Sequence, residues 1–174
     1  MKLIEPTKEY CRQIKEYRRE FIDCGGPMAG RDWLKRMEDP EEWVEYCRLA
    51  KEPENVPEGR VPATQYIFVR EEDDKIVGTL NIRHYLNDYL AKFGGHIGYT
   101  VAPGERRKGY AALMLKTALP ECRKLGIKRA LITCADNNVG SRKTILANGG
   151  VYESTVYEPD EKVNLERYWI DLSD

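Results

Sequence analysis

The chain has 174 residues, which is enough for a single domain with a buried core, and its 28 Lys and Arg residues are balanced by 29 Asp and Glu residues. The formal net charge of −1 gives no indication of the basic surface that nucleic-acid-binding domains carry. Hydrophobic residues make up 41% and charged residues 33% of the sequence, as in soluble globular proteins, and no apolar run reaches the roughly 18 residues that a membrane span needs.

The chain is predicted to begin with a short strand and a helix. Residues 2–5 form the predicted strand, which ends at Pro6. Thr7 is a candidate N-cap for a helix that runs to about Cys24. Apolar side chains recur along this helix at helical spacing, at Tyr10, Ile14, Tyr17 and Phe21.

Helix-breaking residues divide the next part of the chain. Gly25-Gly26-Pro27 is expected to end the first helix. A second helical stretch is predicted from Asp32 to Ala50, with a break near Asp39-Pro40. Residues 51–63 are rich in Pro, Gly and charge, which predicts a loop.

From Thr64 onwards the apolar pattern is that of strands. Gln65–Val69 and Lys75–Ile82 flank an acidic turn, which predicts a β-hairpin. His96–Val101 is a further predicted strand, closed by Pro103. A helix is then predicted from about Gly109 to Leu125, with a kink at Pro120.

The last part of the chain adds strands and one more helix. Ala130–Cys134 is a predicted strand, and Ser141–Asn148 is a predicted short helix that ends at Gly149-Gly150. Val151–Val156 and Arg167–Asp171 are the final predicted strands. This order predicts an α/β fold with one mixed sheet, in which antiparallel hairpins and one parallel crossover carry helices on both faces.

The strongest functional signal is the basic turn that precedes the predicted helix at Gly109. Free backbone N–H groups and the positive end of the helix dipole point at such a turn, which makes it an anion site. Gly109 and Ala111 leave room for a phosphate to approach the backbone, and Arg106, Arg107 and Lys108 add positive charge. The alternative is a surface turn with incidental basic residues.

Two motifs together resemble a known family. Arg106-x-x-Gly109-x-Ala111 after Val101-x-Pro103 resembles the Arg/Gln-x-x-Gly-x-Gly/Ala motif of the GNAT superfamily of acetyltransferases. The block from Asp136 to Ser141, which contains Asn138, resembles the family's Asn-x-x-Ser element. The resemblance implies a single GNAT domain over residues 1–174, in which residues 64–172 are the acetyl-CoA-binding core and residues 1–60 are variable N-terminal helices.

The resemblance also implies how acetyl-CoA is held, with no metal required. The strand that ends at Val101 would bind the pantetheine arm, the basic turn would bind the pyrophosphate, and the second block would lie near the thiol. The implied cofactor-binding residues are Tyr99, Thr100, Val101, Arg106, Arg107, Lys108, Gly109, Tyr110, Ala111, Ala112, Asn138, Ser141 and Lys143. For Asn138 and Ser141, helix capping is a further role that is compatible with ligand binding.

Two histidines are the candidate catalytic residues. His96 stands five residues before Val101, where many family members carry a glutamate that handles the substrate proton, and a histidine suits this task near neutral pH. His84, at the end of the adjacent predicted strand, is the second candidate. A hydrogen-bonded structural histidine is the alternative for His96.

The proton donor for the departing thiolate differs from the common family pattern. Ile145 stands where many members carry a tyrosine. Tyr99, Tyr152 and Tyr168 are candidate substitutes, and water is another, since a free thiol has a pKa of about 8.5.

These features predict direct transfer of an acetyl group from acetyl-CoA to an amine of a small molecule or peptide. The alternatives are a non-catalytic acyl-CoA-binding module or sensor, a different acyl donor such as succinyl-CoA, and a hydroxyl acceptor. The helices before Pro53 and the loop Glu158–Asn164 are expected to line the acceptor pocket, and their acidity gives a weak indication of a cationic amine.

Cysteine usage indicates the compartment. The five cysteines are widely spaced and include no Cys-x-x-Cys pair, which predicts reduced thiols in a cytoplasmic protein and does not support a zinc site. No nucleic-acid or membrane partner is expected, and a homodimer is one option for the assembly.

Overall fold

The computed structural model of the protein describes residues 1–25 and 33–173. The helices and strands of these residues follow the predicted order. They are β1 Lys2–Ile4, α1 Cys11–Cys24, α2 Trp33–Arg36, α3 Pro40–Leu49, β2 Ala63–Arg70, β3 Lys75–Arg83, β4 Ile97–Val101, α4 Tyr110–Lys124, β5 Arg129–Ala135, α5 Val139–Ala147, β6 Val151–Glu158 and β7 Val163–Asp171.

The N-terminal helices begin and end largely where the local residues predict. The backbone of Thr7 is extended, but its side chain makes no capping hydrogen bond to the 3-10 turn that follows and leads into α1. Gly25 ends α1 in the left-handed conformation, with φ at 62°. The rest of the predicted stop, Gly26-Pro27, and the predicted helix start at Asp32 lie outside the described residues.

Two prolines have different effects on the helices. Pro40 is the first residue of α3, where its missing N–H costs nothing, and Asp39 caps this helix by accepting a hydrogen bond from the Glu41 N–H at 2.8 Å. The predicted break at Asp39-Pro40 is therefore confirmed. By contrast, α4 continues through Pro120 to Lys124.

The strands form two antiparallel sheets. β1, β2, β3 and β4 make a four-stranded sheet in that order, and β5, β7 and β6 make a three-stranded one. The predicted α/β fold is confirmed, but the parallel crossover within one mixed sheet is not. The described parts of β4 and β5 form no continuous ladder. They are joined beside the start of β4, where the His96 N–H donates to the Leu131 carbonyl at 2.7 Å.

Each face of the four-stranded sheet is covered by helices, as predicted. Successive residues of a strand point to opposite faces. Accordingly, Phe68 of β2 packs in the core that contains Met114 of α4, whereas its neighbour Ile67 packs in the core that contains Phe21 of α1 and Trp43 of α3. The four-stranded sheet thus packs against α4 on one face and against α1 and α3 on the other.

Candidate active site

A cleft of about 1540 Å³ lies between β4 and β5 and extends over the N-terminal helices. One end is lined by the predicted anion-binding turn and the start of α5. The other end is lined by α3, by the C-terminal end of β3 and by the connection between β6 and β7. Eleven of the thirteen predicted cofactor-binding residues line this cleft: Tyr99, Thr100, Val101, Arg106, Arg107, Gly109, Tyr110, Ala111, Ala112, Asn138 and Ser141.

The turn before α4 has the geometry of an anion site. Arg107 and Gly109 both adopt left-handed backbone conformations, with φ at 63° and 82°. The Leu113 N–H donates to the Gly109 carbonyl at 3.1 Å, so the N–H groups of residues 110–112 belong to the unpaired first turn of the helix. A Cβ atom at Gly109 would meet nothing within 4 Å, which leaves space for a phosphate. These N–H groups and the helix dipole favour a bound anion.

The buried carboxylate of Glu105 stabilises this turn through three hydrogen bonds. Glu105 is 4% exposed and accepts hydrogen bonds from Lys108 at 2.8 Å, Lys75 at 2.9 Å and Arg70 at 3.0 Å. The Lys108 hydrogen bond is the largest of the causes that lower the pKa of Glu105 to about 2. The ammonium group of Lys108 therefore fixes the turn through Glu105. Lys108 is not among the cleft-lining residues.

Glu105 was not a predicted site residue, although its place as the only acid beside three consecutive basic residues is a signal of its role. Lys143, the other predicted cofactor-binding residue that does not line the cleft, is exposed on α5.

The backbone of β4 offers two residues to the cleft. Hydrogen-bonded and non-bonded pairs alternate in an antiparallel ladder. The Ala102 N–H donates to the Val77 carbonyl at 2.9 Å, so Thr100 and Gly98 also bond to β3, and the N–H groups of Tyr99 and Val101 point away from β3. Of the three β4 residues predicted to bind the pantetheine arm, only Tyr99 and Val101 therefore direct their backbone N–H groups away from β3.

Thr100 anchors β4 to the N-terminal helices. Its hydroxyl lies 2.9 Å from the Tyr17 hydroxyl of α1 and 2.9 Å from the Thr79 hydroxyl of β3. This network joins β3 and β4 to the N-terminal helices.

The start of α5 forms the wall opposite β4. Asn138 is the N-cap of α5, and its Oδ1 accepts a hydrogen bond from the Ser141 N–H at 3.0 Å. The Ser141 hydroxyl lies 2.8 Å from the Tyr99 hydroxyl. The capping alternative is thus present in the structure, while both residues also line the cleft.

Asn138→Asp is expected to separate capping from ligand binding. Asp caps a helix as well as Asn does, so the melting temperature should change little. The carboxylate cannot donate a hydrogen bond, so the affinity for acetyl-CoA or the turnover number should fall about tenfold if the amide contacts a ligand. The neighbouring exposed residue, changed in Asn137→Asp, is the control. Unchanged affinity and turnover in Asn138→Asp would leave Asn138 with capping alone.

One of the three candidate tyrosines lies in the cleft. The Tyr99 ring lines it, and burial raises the pKa of Tyr99 to about 12, so the phenol stays protonated at neutral pH. Tyr168 is buried and donates to Glu166 at 2.8 Å, and Tyr152 is 53% exposed on β6. Ile145 is fully buried in the core, where an aliphatic side chain packs well.

His96 lies where the two sheets meet. Its ring Nδ1 accepts a hydrogen bond from the Leu131 N–H at 2.9 Å, and the residue is 8% exposed. Burial, followed by the charge of Arg83, lowers the pKa of His96 to about 4. His96 is not among the residues that line the cleft. These contacts favour the structural alternative and do not support the predicted catalytic role.

His84 is also placed away from the cleft lining. Its Nε2 lies 2.8 Å from the Thr64 hydroxyl, and burial lowers its pKa. The structure therefore brings neither predicted catalytic histidine to the cleft wall.

The end of the cleft away from the turn before α4 has a mixed charge. The acids Glu158, Asp160 and Glu161 line it, as predicted for the loop between β6 and β7. Three arginines line it as well, namely Arg36, Arg60 and Arg83. The charge of this end therefore does not select a cationic amine by itself.

Two structural features are absent from residues 1–25 and 33–173. No group of three or more His, Cys, Asp and Glu side chains is placed to hold a metal ion. Helices in this part of the chain are too short or too polar to cross a membrane.

Comparisons with known proteins give a family and a fold. The model of the acetyltransferase (GNAT) family matches residues 2–149, whereas no curated protein sequence matches the chain. The fold is similar to that of the microcin C7 self-immunity acetyltransferase MccE, solved with acetyl-CoA and AMP (19% identity, 97% of this chain and 91% of that chain covered, TM-score 0.71).

Two other proteins of similar fold are named for different acetyl acceptors. One is a ribosomal-protein-S5-alanine acetyltransferase from Vibrio fischeri (17% identity, 99% and 93% covered, TM-score 0.70). The other is a variant of the spermidine N-acetyltransferase SpeG from Vibrio cholerae (14% identity, 99% and 96% covered, TM-score 0.65). At these identities, the similarity shows a common fold.

Proposed function

The chain belongs to the acetyltransferase (GNAT) family, and on this premise we propose that it transfers the acetyl group of acetyl-CoA directly to an amine of a small molecule or peptide. One observation carries the proposal. The anion-binding turn and the free backbone edge of β4 open onto the same cleft, so one molecule with a pyrophosphate at one end and a thioester at the other can contact both.

The residues of the turn fit a pyrophosphate. The N–H groups of residues 110–112 supply donors, Arg106 and Arg107 supply positive charge, and Gly109 leaves the approach open. Along β4, the N–H groups of Tyr99 and Val101 supply donors to the pantetheine arm. A backbone N–H aimed at the thioester carbonyl stabilises the negative charge that develops on this oxygen during attack.

Tyr99 is the proposed proton donor to the departing thiolate, in place of the missing family tyrosine at Ile145. Its hydroxyl is paired with that of Ser141 at the cleft wall. Tyr99→Phe should lower the turnover number about tenfold, which is less than the usual 10²–10⁴-fold for general acid–base catalysis, because water can protonate a thiolate whose pKa is about 8.5.

The assay for Tyr99→Phe measures CoA release under acetyl-CoA saturation, with the exposed residue changed in Tyr152→Phe as the control. A turnover number equal to that of the wild type would assign this proton to the solvent.

A panel of acceptors and donors tests the proposed function. Spermidine, a peptide that begins with Ala, and amino-acid amides are supplied with acetyl-CoA or succinyl-CoA, and the free thiol is measured. Amine-dependent release of CoA from acetyl-CoA is the expected result. Binding of acetyl-CoA without release by any amine would favour the non-catalytic module, and release with alcohols alone would identify a hydroxyl acceptor.

The compartment and the assembly complete the proposal. The five cysteines are free thiols, which agrees with the reducing cytoplasm, and we propose that the enzyme works there. Assembly as a homodimer stays a prediction, which light scattering tests.

A further inference from the structure

Asn81 carries an unpaired polar atom at the cleft. Its side-chain oxygen, Oδ1, is the only buried side-chain nitrogen or oxygen without a hydrogen-bond partner in the part of the chain that the structure describes. Asn81 lines the cleft. A buried acceptor that has lost water without gaining a donor destabilises the folded state, so its presence at a cleft wall indicates that a ligand supplies the donor.

The position of Asn81 on the sheet places this oxygen on the acceptor side of the cleft. Residues directly opposite each other in a sheet share a face, and Asn81 of β3 pairs with Gly98 of β4. Thr79 and Thr100, two residues along each strand, form the next such pair. Their hydroxyls are bonded to each other, and the Thr100 hydroxyl also lies 2.9 Å from the Tyr17 hydroxyl of α1. The Asn81 side chain therefore lies on the face covered by the N-terminal helices.

The neighbours of Asn81 on this face bring no hydrogen-bond donor to its buried oxygen. Gly98 has no side chain, and it immediately precedes Tyr99, whose N–H faces the proposed thioester site. On the other side, Gln65 of β2 uses its amide nitrogen to donate to the Tyr66 and Leu80 carbonyls, at 3.0 and 2.9 Å. The oxygen of Gln65 is thus a second acceptor beside the first.

We propose that Asn81 Oδ1 accepts a hydrogen bond from the attacking nitrogen of the amine substrate and orients it towards the thioester, an inference that rests on the proposed function. In the transfer, the nitrogen lone pair forms the N–C bond and the C–S bond breaks. One proton leaves the nitrogen and one joins the sulfur, which yields an amide and free CoA.

This contact selects an amine over a hydroxyl. A neutral primary amine has two N–H groups, so one can stay bonded to Asn81 while the other loses its proton during the reaction. A hydroxyl has a single hydrogen, which it must release in order to attack. Asn81 is therefore a specificity-determining residue for N-acetylation.

The test compares Asn81→Leu and Asn81→Asp with the wild type, using n-propylamine as the minimal acceptor and spermidine beside it. Asn81→Leu should lower kcat/KM for both amines about 10- to 100-fold, with an unchanged Kd for acetyl-CoA. Its melting temperature should stay equal or rise, because an unpaired buried oxygen has been replaced by an apolar group of similar size. Asn55→Leu, at an exposed position outside the cleft lining, is the matched control.

Asn81→Asp keeps the acceptor and should retain most of the activity. Its carboxylate stabilises the ammonium form of the amine, so the rate should rise at a higher pH than in the wild type. A role confined to folding would not move this pH profile.

Two results would overturn the inference. The first is an unchanged kcat/KM in Asn81→Leu, and the second is a fall in activity that follows a lower melting temperature and weaker acetyl-CoA binding. If the wild type acetylates no amine, the proposed function fails. The contact between Asn81 and an amine is then tested by amine binding alone. A melting shift of the CoA complex on adding n-propylamine, absent in Asn81→Leu, would uphold the contact, and no shift in the wild type would refute it.

Discussion

Gly109→Asp is expected to abolish the rise in melting temperature that acetyl-CoA gives to the wild-type protein. A ligand that binds only the folded state at 100 times its Kd stabilises it by about 2.7 kcal/mol. The new carboxylate would stand in the open space at the helix N-terminus, where it excludes the pyrophosphate by volume and repels it by charge. A loss of affinity of about 100-fold or more removes most of the shift at the same concentration, which differential scanning fluorimetry measures.

A control for backbone strain is needed because Gly109 has a left-handed backbone that Asp adopts at some cost. Gly126→Asp carries the same strain, with φ at 77° and nothing near its Cβ position, and Gly126 lies outside the cleft lining. This variant should keep the full acetyl-CoA shift. A folded Gly109→Asp protein with the same full shift would show that the phosphate site lies elsewhere.

The second large effect is expected at His96. His96→Ala leaves the Leu131 N–H without its acceptor and opens a cavity where the two sheets meet, so the free energy of unfolding should fall by about 2–4 kcal/mol. His96→Asn should recover much of this loss, since its Oδ1 takes the place of the ring Nδ1. If the histidine is structural, His96→Asn keeps the wild-type turnover number.

The same variant tests the catalytic role that the family resemblance implies. Asn does not accept a proton near neutral pH, so a general base at this position would lose 10²–10⁴-fold in turnover number while the melting temperature holds. That result would restore His96 as the proton acceptor, against its hydrogen bonds in the structure.

The pH dependence of stability gives an independent measure of His96. Its folded pKa of about 4 lies below the ordinary value of 6.5, so between these values the unfolded chain binds more protons than the folded one. Stability should therefore fall by roughly 3 kcal/mol as the pH drops from 6.5 to 4, and His96→Asn should flatten most of this fall.

Other groups with shifted pKa values contribute to the pH dependence of stability that remains after this substitution. His84 contributes in the same direction, because burial lowers its pKa too. Glu105 and Glu153 have pKa values of about 2, so their stabilising contributions are lost mainly below pH 4.5. Urea unfolding at a series of pH values separates the pH range of the histidines from that of the carboxylates. If the free energy of unfolding depends on pH equally in the wild type and in His96→Asn, His96 is not a buried neutral imidazole.

Much of the fold could be predicted because its signals are local. The hairpin of β2 and β3 follows from two apolar runs around an acidic turn, and the stop of α1 at Gly25 follows from a residue that accepts a positive φ. The relation of β4 to β5 could not be predicted in this way. Whether two distant strands form a full ladder depends on the residues between and beside them. Here the Leu131 N–H of β5 donates to the His96 ring and is not available to pair with the backbone of β4.

By itself, the sequence determined the turn before α4 and the cap of α5, because both depend on backbone groups and side chains within a few residues of each other. Gly109 begins a helix after a strand, and Asn138 stands three residues before the N–H that it caps. Only the tertiary structure decided the roles of the side chains whose partners are distant in the chain. Glu105 meets Arg70 and Lys75, and His96 meets Leu131. The oxygen of Asn81 has no hydrogen-bond partner among the described residues because the strands beside it bring no donor, which no local pattern predicts.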